Sequence, residues 1–215
     1  MNENSAAIAR APAGLADLLP GEATRRISLL RHAEKEGREL PTRLSSTGRM
    51  RAFALPYILQ ELSRRDGWAW NADCLIAARD TARSQRPSQT LHHLAQQLAL
   101  PIRQSRTPAD VVSLLFGTDP QPLWRHAVVV WRHNRILDVA RALGAPAQSL
   151  PAGWPSELYD RVVLLDFDAR GRLVRTRCVH ADDELELAVC EQPLIIDCRS
   201  DAQSDADADA EDSPG

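Results

Sequence analysis

Three short segments of this 215-residue chain bring arginine together with histidine or with a polar loop: Arg31-His32, Ser84-Gln85-Arg86 and Arg132-His133. The arginine fork matches phosphate oxygens two at a time, so such a set suits recognition of an anion, phosphate above all. Each residue alone has a plainer reading. An Arg-His pair is common by chance, Arg86 could be a solvated arginine at a helix start, and His133 could be a buried histidine satisfied by backbone. What lifts the set above chance is where the elements place it.

Ile27 to Leu30 reads as a buried strand that ends at Arg31-His32. A polar loop over 36–47 follows. Apolar residues at Ala52, Leu55, Ile58, Leu59 and Leu62 then give a helical stripe over Arg49 to Arg64, with Pro56 inside it. Cys74 to Ala78 is a second buried strand. It runs through a loop at Arg79 to Arg86 into a helix over Pro87 to Leu98, which Pro101 stops. Thr107-Pro108-Ala109-Asp110 has the form of an N-cap with proline at the first helical position, opening a helix to about Phe116. Ala127 to Trp131 is a third buried strand, ending in Arg132-His133, and a helix from about Arg135 to Leu143 stops at Gly144. After a Pro-rich loop at Pro146 to Pro155, Arg161 to Asp168 and Leu173 to Val179 alternate as a strand hairpin around Ala169 to Arg172. One more strand is expected at Leu194 to Ile196.

Alternating strands and helices predict an α/β fold, a three-layer α/β/α sandwich with a largely parallel, mixed central sheet. Ligands of such sheets bind beyond the carboxyl ends of the strands. Three strand ends here deliver Arg31-His32, the loop with Arg86, and His133, so fold and basic residues point to one place.

The division expected is a loose arm over 1–24, one domain over 25–200 and a disordered acidic tail over 201–215. The tail holds six acidic residues and no basic one, and without it the formal charge moves from −3 to +3. Lys35 is the only lysine. The four cysteines (74, 178, 190 and 198) show no C-x-x-C spacing and no cluster with histidines, which speaks against zinc or a disulfide framework. No metal and no cofactor is expected. No apolar run is long enough to span a bilayer, and no basic stripe suits a nucleic acid. The expected setting is cytoplasmic.

The segments Leu29-Leu30-Arg31-His32-Ala33-Glu34-Lys35 and Leu44-Ser45-Ser46-Thr47-Gly48-Arg49-Met50-Arg51-Ala52 resemble the opening of the histidine phosphatase superfamily, which includes the phosphoglycerate mutases. Ser84-Gln85-Arg86-Pro87-Ser88-Gln89-Thr90 is similar to its S-x-x-R-x-x-Q-T segment with one residue fewer, and Val128 to His133 to its late strand ending in a second histidine. The resemblance covers about residues 27 to 167. It implies that His32 attacks phosphorus in line and becomes a phosphohistidine that water hydrolyses. It implies that Arg31 and Arg86 clamp the phosphate, that His133 also contacts it, and that no metal is required.

Several positions depart from the pattern. Ala33 stands where many members have glycine, and Arg132 where many have a small residue. Asn134 follows the second histidine and cannot donate as an acid. Asp110 and Asp119 lie in the interval where larger members keep a proton donor, but in no matching motif. Glu34 and Lys35 read as a loop ion pair. His92, His93, His126 and His180 read as surface or helix residues, and the five tryptophans as core or loop anchors.

The function expected is a phosphomonoesterase acting on a small-molecule or protein phosphate ester. The alternative is a catalytically weak phosphate-recognising module of the same fold, with a mutase ranked below both. A chain ending at Ser200 is expected to fold and turn over normally, because the tail's composition cannot build a core. A large fall in the melting temperature of the shortened chain would contradict this.

Overall fold

The computed structural model describes residues 23–35, 42–117 and 124–181. Among them six strands form one sheet: β1 Arg25–Arg31, β2 Cys74–Ala78, β3 Ile102–Ser105, β4 His126–Trp131, β5 Arg161–Phe167 and β6 Leu173–His180. Their order across the sheet is β3-β2-β4-β1-β5-β6. The first four in that order are parallel, and β5 and β6 are antiparallel additions at the β1 side. The helices are α1 Ser46–Arg65, α2 Arg86–Leu98, α3 Pro108–Phe116 and α4 Ile136–Ala142.

The four inner strands β2, β4, β1 and β5 are buried on both faces, as a sheet covered by helices on both sides requires. Successive side chains alternate between two cores. Ile27, Leu29, Ala127, Val129 and Trp131 meet α3 and α4. Leu30, Leu75, Val128 and Val130 meet Leu55, Ile58 and Leu59 of α1 and Leu91 and Leu94 of α2. The α/β sandwich with a mixed, largely parallel sheet is thus the observed architecture.

Local signals account for most boundaries. The Ser45 hydroxyl accepts from the Gly48 amide at 3.0 Å and caps α1. That cap starts the helix earlier than its apolar stripe at Arg49, and α1 continues through Pro56 to Arg65. Thr107 and Asp110 form a reciprocal capping box that opens α3. The α2 C-cap is Ala99 in the left-handed region (φ 53°). Strand β3 escapes the sequence because it is a sheet edge: only Ser105 of its four residues is buried, and it pairs with β2 alone. Thr24 already joins the sheet, its amide donating to the Phe167 carbonyl at 2.8 Å, so the loose arm expected over 1–24 does not extend to that residue. The rest of that arm, the strand expected at Leu194 to Ile196 and the tail over 201–215 lie outside the described residues.

The end of the sheet away from the strand carboxyl termini is fixed by buried charge. Arg26 is completely buried; its Nε and Nη2 donate to the Asp166 carboxylate (2.7 and 3.1 Å), and its Nη1 donates to Asp66 at 2.6 Å. Its guanidinium lies 4.6 Å from the Trp68 ring centroid. Arg175 and Arg177 of β6 pair with the same two carboxylates. His126, expected at the surface or in a helix, is instead buried at the first position of β4. There its Nε2 lies 2.8 Å from Ser28 Oγ and its ring stands edge-on to Trp70. A polar residue at the start of an apolar strand gives no outward sign that a hydroxyl waits on the neighbouring strand.

Removing one partner of a buried pair leaves the other charge desolvated. Asp166→Ala is therefore expected to cost about 3–5 kcal/mol of unfolding free energy, measured by urea denaturation. A loss under about 1 kcal/mol, the range of exposed pairs, would show that Arg26 finds other compensation.

Candidate functional site

Strands β1 and β4 are parallel neighbours in register from Arg26↔His126 to Arg31↔Trp131. The pairing continues one step further, since the His32 amide donates to the Trp131 carbonyl at 3.0 Å. The helix after β1 packs on one face of the sheet and the helix after β4 on the other. The chain therefore diverges here, at a switch point where α/β sheets open a crevice. His32 and His133 both flank that crevice.

His32 is buried, 2% exposed. Its Nδ1 lies 2.7 Å from the Ala33 carbonyl oxygen, which can only accept, so Nδ1 carries the proton and Nε2 presents a lone pair. Burial pushes the imidazole down to about 3. The Ala33 carbonyl opposes this, and the charges of Arg86, Arg31 and His133 add to it. His32 is thus a neutral imidazole at physiological pH, with the Nε2 lone pair that a base or a nucleophile needs.

Arg31, the last residue of β1, is held by backbone rather than by a carboxylate. Its Nη1 donates to the Ser156 carbonyl and to the Leu158 carbonyl (3.2 Å for the latter), and its guanidinium stacks 3.8 Å from the Tyr159 ring centroid. Its Nε is buried without a protein acceptor. The same Tyr159 ring lies 6.4 Å from the His32 ring. Burial, and to a lesser degree Arg86, lower the Arg31 pKa.

Arg86 opens α2, and a short relay ties that turn to the nucleophile loop. The Ala33 amide donates to Thr90 Oγ1 at 2.9 Å, and Thr90 Oγ1 donates to the Arg86 carbonyl at 2.8 Å. Gln89 Oε1 accepts from the Leu44 amide at 3.0 Å. The Gln89-Thr90 pair therefore fastens α2 to the loop after β1. Burial lowers the Arg86 pKa, as does the charge of Arg132. The His133 pKa is lowered by burial, then by Arg31 and Lys35, with Glu157 opposing and Arg86 adding. Arg31, His32, Arg86 and His133 thus lie within one another's electrostatic reach, although they come from three separate strand ends.

Gly48 matters by proximity. A Cβ there would stand 2.2 Å from the Glu34 carbonyl oxygen. That carbonyl also accepts from the Ser45 amide at 3.0 Å. The serine and glycine of the segment from Leu44 to Ala52 thus let the start of α1 close on the loop two residues past His32.

Other expectations are corrected. Glu34 pairs with Arg51 of α1 at 2.8 Å rather than with Lys35, because the start of α1 closes on the loop at Glu34 and brings Arg51 to it. Asp110 is taken up by the α3 cap: its carboxylate accepts the Arg106 and Thr107 amides at 3.0 and 2.9 Å. Asp119 lies outside the described residues. Arg132 donates to the Arg79 carbonyl at 2.7 Å, bracing the loop after β2.

Two residues escape the sequence altogether, Glu157 and Tyr159. They sit in the loop before β5, and only the antiparallel placement of β5 beside β1 returns that loop to the crevice. Among the described residues no group of three or more His, Cys, Asp or Glu is placed to hold a metal ion. No described helix is long and apolar enough to cross a membrane.

No protein-family model and no curated protein matches the sequence. Solved structures do resemble it. The protein histidine phosphatase SixA complexed with tungstate is 11% identical, covering 74% of this chain and 98% of that one, with a TM-score of 0.49. The SixA protein of Agrobacterium tumefaciens is 19% identical (71% and 97% covered, TM-score 0.47). A mycobacterial glucosyl-3-phosphoglycerate phosphatase is 17% identical (73% and 97% covered, TM-score 0.46). These are similarities of architecture to phosphatases at low identity.

The depressed histidines make stability depend on pH in a defined direction. Burial sets both His32 and His126 at about 3 in the folded chain, against an ordinary value of 6.5. Between those values the unfolded chain binds more protons, so stability is full above about pH 6.5 and falls as pH drops toward 3. His32→Asn is expected to flatten that acid-side slope in denaturant melts from pH 7 to 4. An unchanged slope would place the native imidazole near its ordinary value.

Proposed function

We propose that this protein is a metal-independent phosphomonoesterase that works through a phosphohistidine at His32. The observation that carries the reading is the state of His32: a buried neutral imidazole, its tautomer fixed by the Ala33 carbonyl, its Nε2 free, within the charges of Arg31, Arg86 and His133. Four groups that depress one another's protonation form a site adapted to a multiply charged anion. Arg31 supports this, since its buried Nε is a donor without a protein acceptor.

The steps follow from these groups. A phosphoryl group takes the basic crevice, its oxygens held by Arg31 and Arg86 through charge-assisted bonds of about 1.5–3 kcal/mol each. The His32 Nε2 lone pair forms the N–P bond as the P–O bond to the leaving group breaks. The positive charge arising on the ring is shared with Nδ1–H, which already donates to the Ala33 carbonyl. Water then forms a P–O bond as N–P breaks, releasing phosphate and restoring neutral His32. His133, whose basicity the phosphoryl dianion raises, is the proton carrier we assign, since Asp110 is committed to the α3 cap. Such a site favours leaving groups that depart with little protonation, such as phenols. The same lack of a carboxylic acid is what favours the second reading, a phosphate-recognising module of weak turnover.

His32→Ala is expected to abolish turnover of an aryl phosphate in the presence of EDTA, with the circular dichroism spectrum unchanged. Arg86→Ala is expected to weaken both turnover and inhibition by vanadate, each roughly 10²-fold or more, as for loss of one transition-state donor. Wild-type turnover by the His32 variant would sink the mechanism. Vanadate binding without turnover in the native protein would favour the binding module.

A further inference from the structure

The loop from Trp154 to Asp160 is fastened to the site at two points on either side of Glu157. The Ser156 and Leu158 carbonyls accept from Arg31, and the Tyr159 ring stacks on the Arg31 guanidinium. Trp154, buried, adds a third fixing point through Nε1 to the Leu158 carbonyl at 3.1 Å. The residue between these anchors cannot wander far from the crevice. Glu157 is exposed, and among the described residues its side chain is bonded only to the neighbouring Ser156 hydroxyl. Among those residues it forms no ion pair with a cationic side chain, and its field reaches both Arg31 and His133. Lys35, on the loop after β1, also acts on His133.

A carboxylate at this position does nothing for the phosphoryl group, which it repels. Its place is explained by what is attached to the phosphoryl group. The half-buried Tyr159 ring lies 6.4 Å from the His32 ring and Glu157 is exposed two residues before it, so both are near to a group that in-line attack by His32 Nε2 drives away from the nucleophile. On the phosphatase reading above, we infer that Glu157 is a specificity-determining residue that selects phosphoryl donors whose leaving group carries a cation. Tyr159 supplies the apolar wall against which that group lies.

The test uses three aryl phosphates of matched shape: 4-(aminomethyl)phenyl phosphate, 4-ethylphenyl phosphate and 4-(carboxymethyl)phenyl phosphate, cationic, neutral and anionic in the leaving group. The native protein is expected to prefer the cationic over the neutral ester in kcat/KM by about fivefold, the upper range of a solvent-exposed charge pair. The preference should fade at high salt. Glu157→Gln should bring that ratio to near one, and Glu157→Lys should invert it in favour of the carboxymethyl ester, both at wild-type melting temperature. Lys35→Gln is expected to lower only the carboxymethyl ester. If the native protein hydrolyses all three but the ratios ignore Glu157→Gln and Glu157→Lys, the inference is overturned while the phosphatase reading stands. If none is hydrolysed, both fall.

Discussion

The parallel pairing of β1 with β4 is the constraint on which the rest of this molecule depends. It runs in register along both strands and closes with the His32 amide on the Trp131 carbonyl. One consequence is chemical: two histidines about a hundred residues apart come within electrostatic reach of each other beyond the carboxyl edge. Another is topological. Because the chain leaves β1 and β4 toward opposite faces, a crevice opens above them. Slipping either strand by one residue would turn every side chain to the other face, which the two apolar cores forbid. The hydrophobic packing of the sheet therefore fixes the position of the reactive groups.

Burial gives the crevice its chemical character. Desolvation disfavours charge on each of Arg31, His32, Arg86 and His133, and their mutual repulsion adds to it. Two of its members are supported by neutral dipoles: carbonyls and a tyrosine ring for Arg31, a carbonyl for His32. A carboxylate in those places would neutralise the cations and compete with an incoming phosphoryl group. At the other end of the sheet the opposite solution holds, and Arg26 is matched by Asp166 and Asp66. One strand thus begins with a compensated buried arginine and ends with one held by carbonyls and a ring.

The antiparallel edge explains how a second tier of residues reaches the site. A fifth parallel strand would have placed the approach to β5 at the far end of the sheet. Running β5 antiparallel to β1 brings its leading loop back to the carboxyl edge, where Ser156, Leu158 and Tyr159 immobilise Arg31 and set Glu157 at the mouth.

The sequence by itself determined the class of the fold and the residues able to do chemistry. Runs such as Ala127 to Trp131 are apolar at every position, which only a strand covered on both faces requires. Caps such as Ser45 and Thr107 are written in contiguous residues, because a cap is satisfied within one turn. Arg31, His32, Arg86 and His133 stand out as candidates in the sequence because each opens a helix or lies within two residues of a strand end. What only tertiary structure decided were relations between distant segments. These include the edge strand β3, stabilised by one neighbour rather than by a pattern of its own. They also include the burial of His126 against Ser28, the capture of Glu34 by Arg51 and of Asp110 by the α3 cap, and the return of Glu157 and Tyr159 to the crevice. Local signals encode what a residue can do over one turn or one pleat. Which group it meets depends on strand order, and strand order is set by the free energy of burying whole faces, to which no single residue testifies.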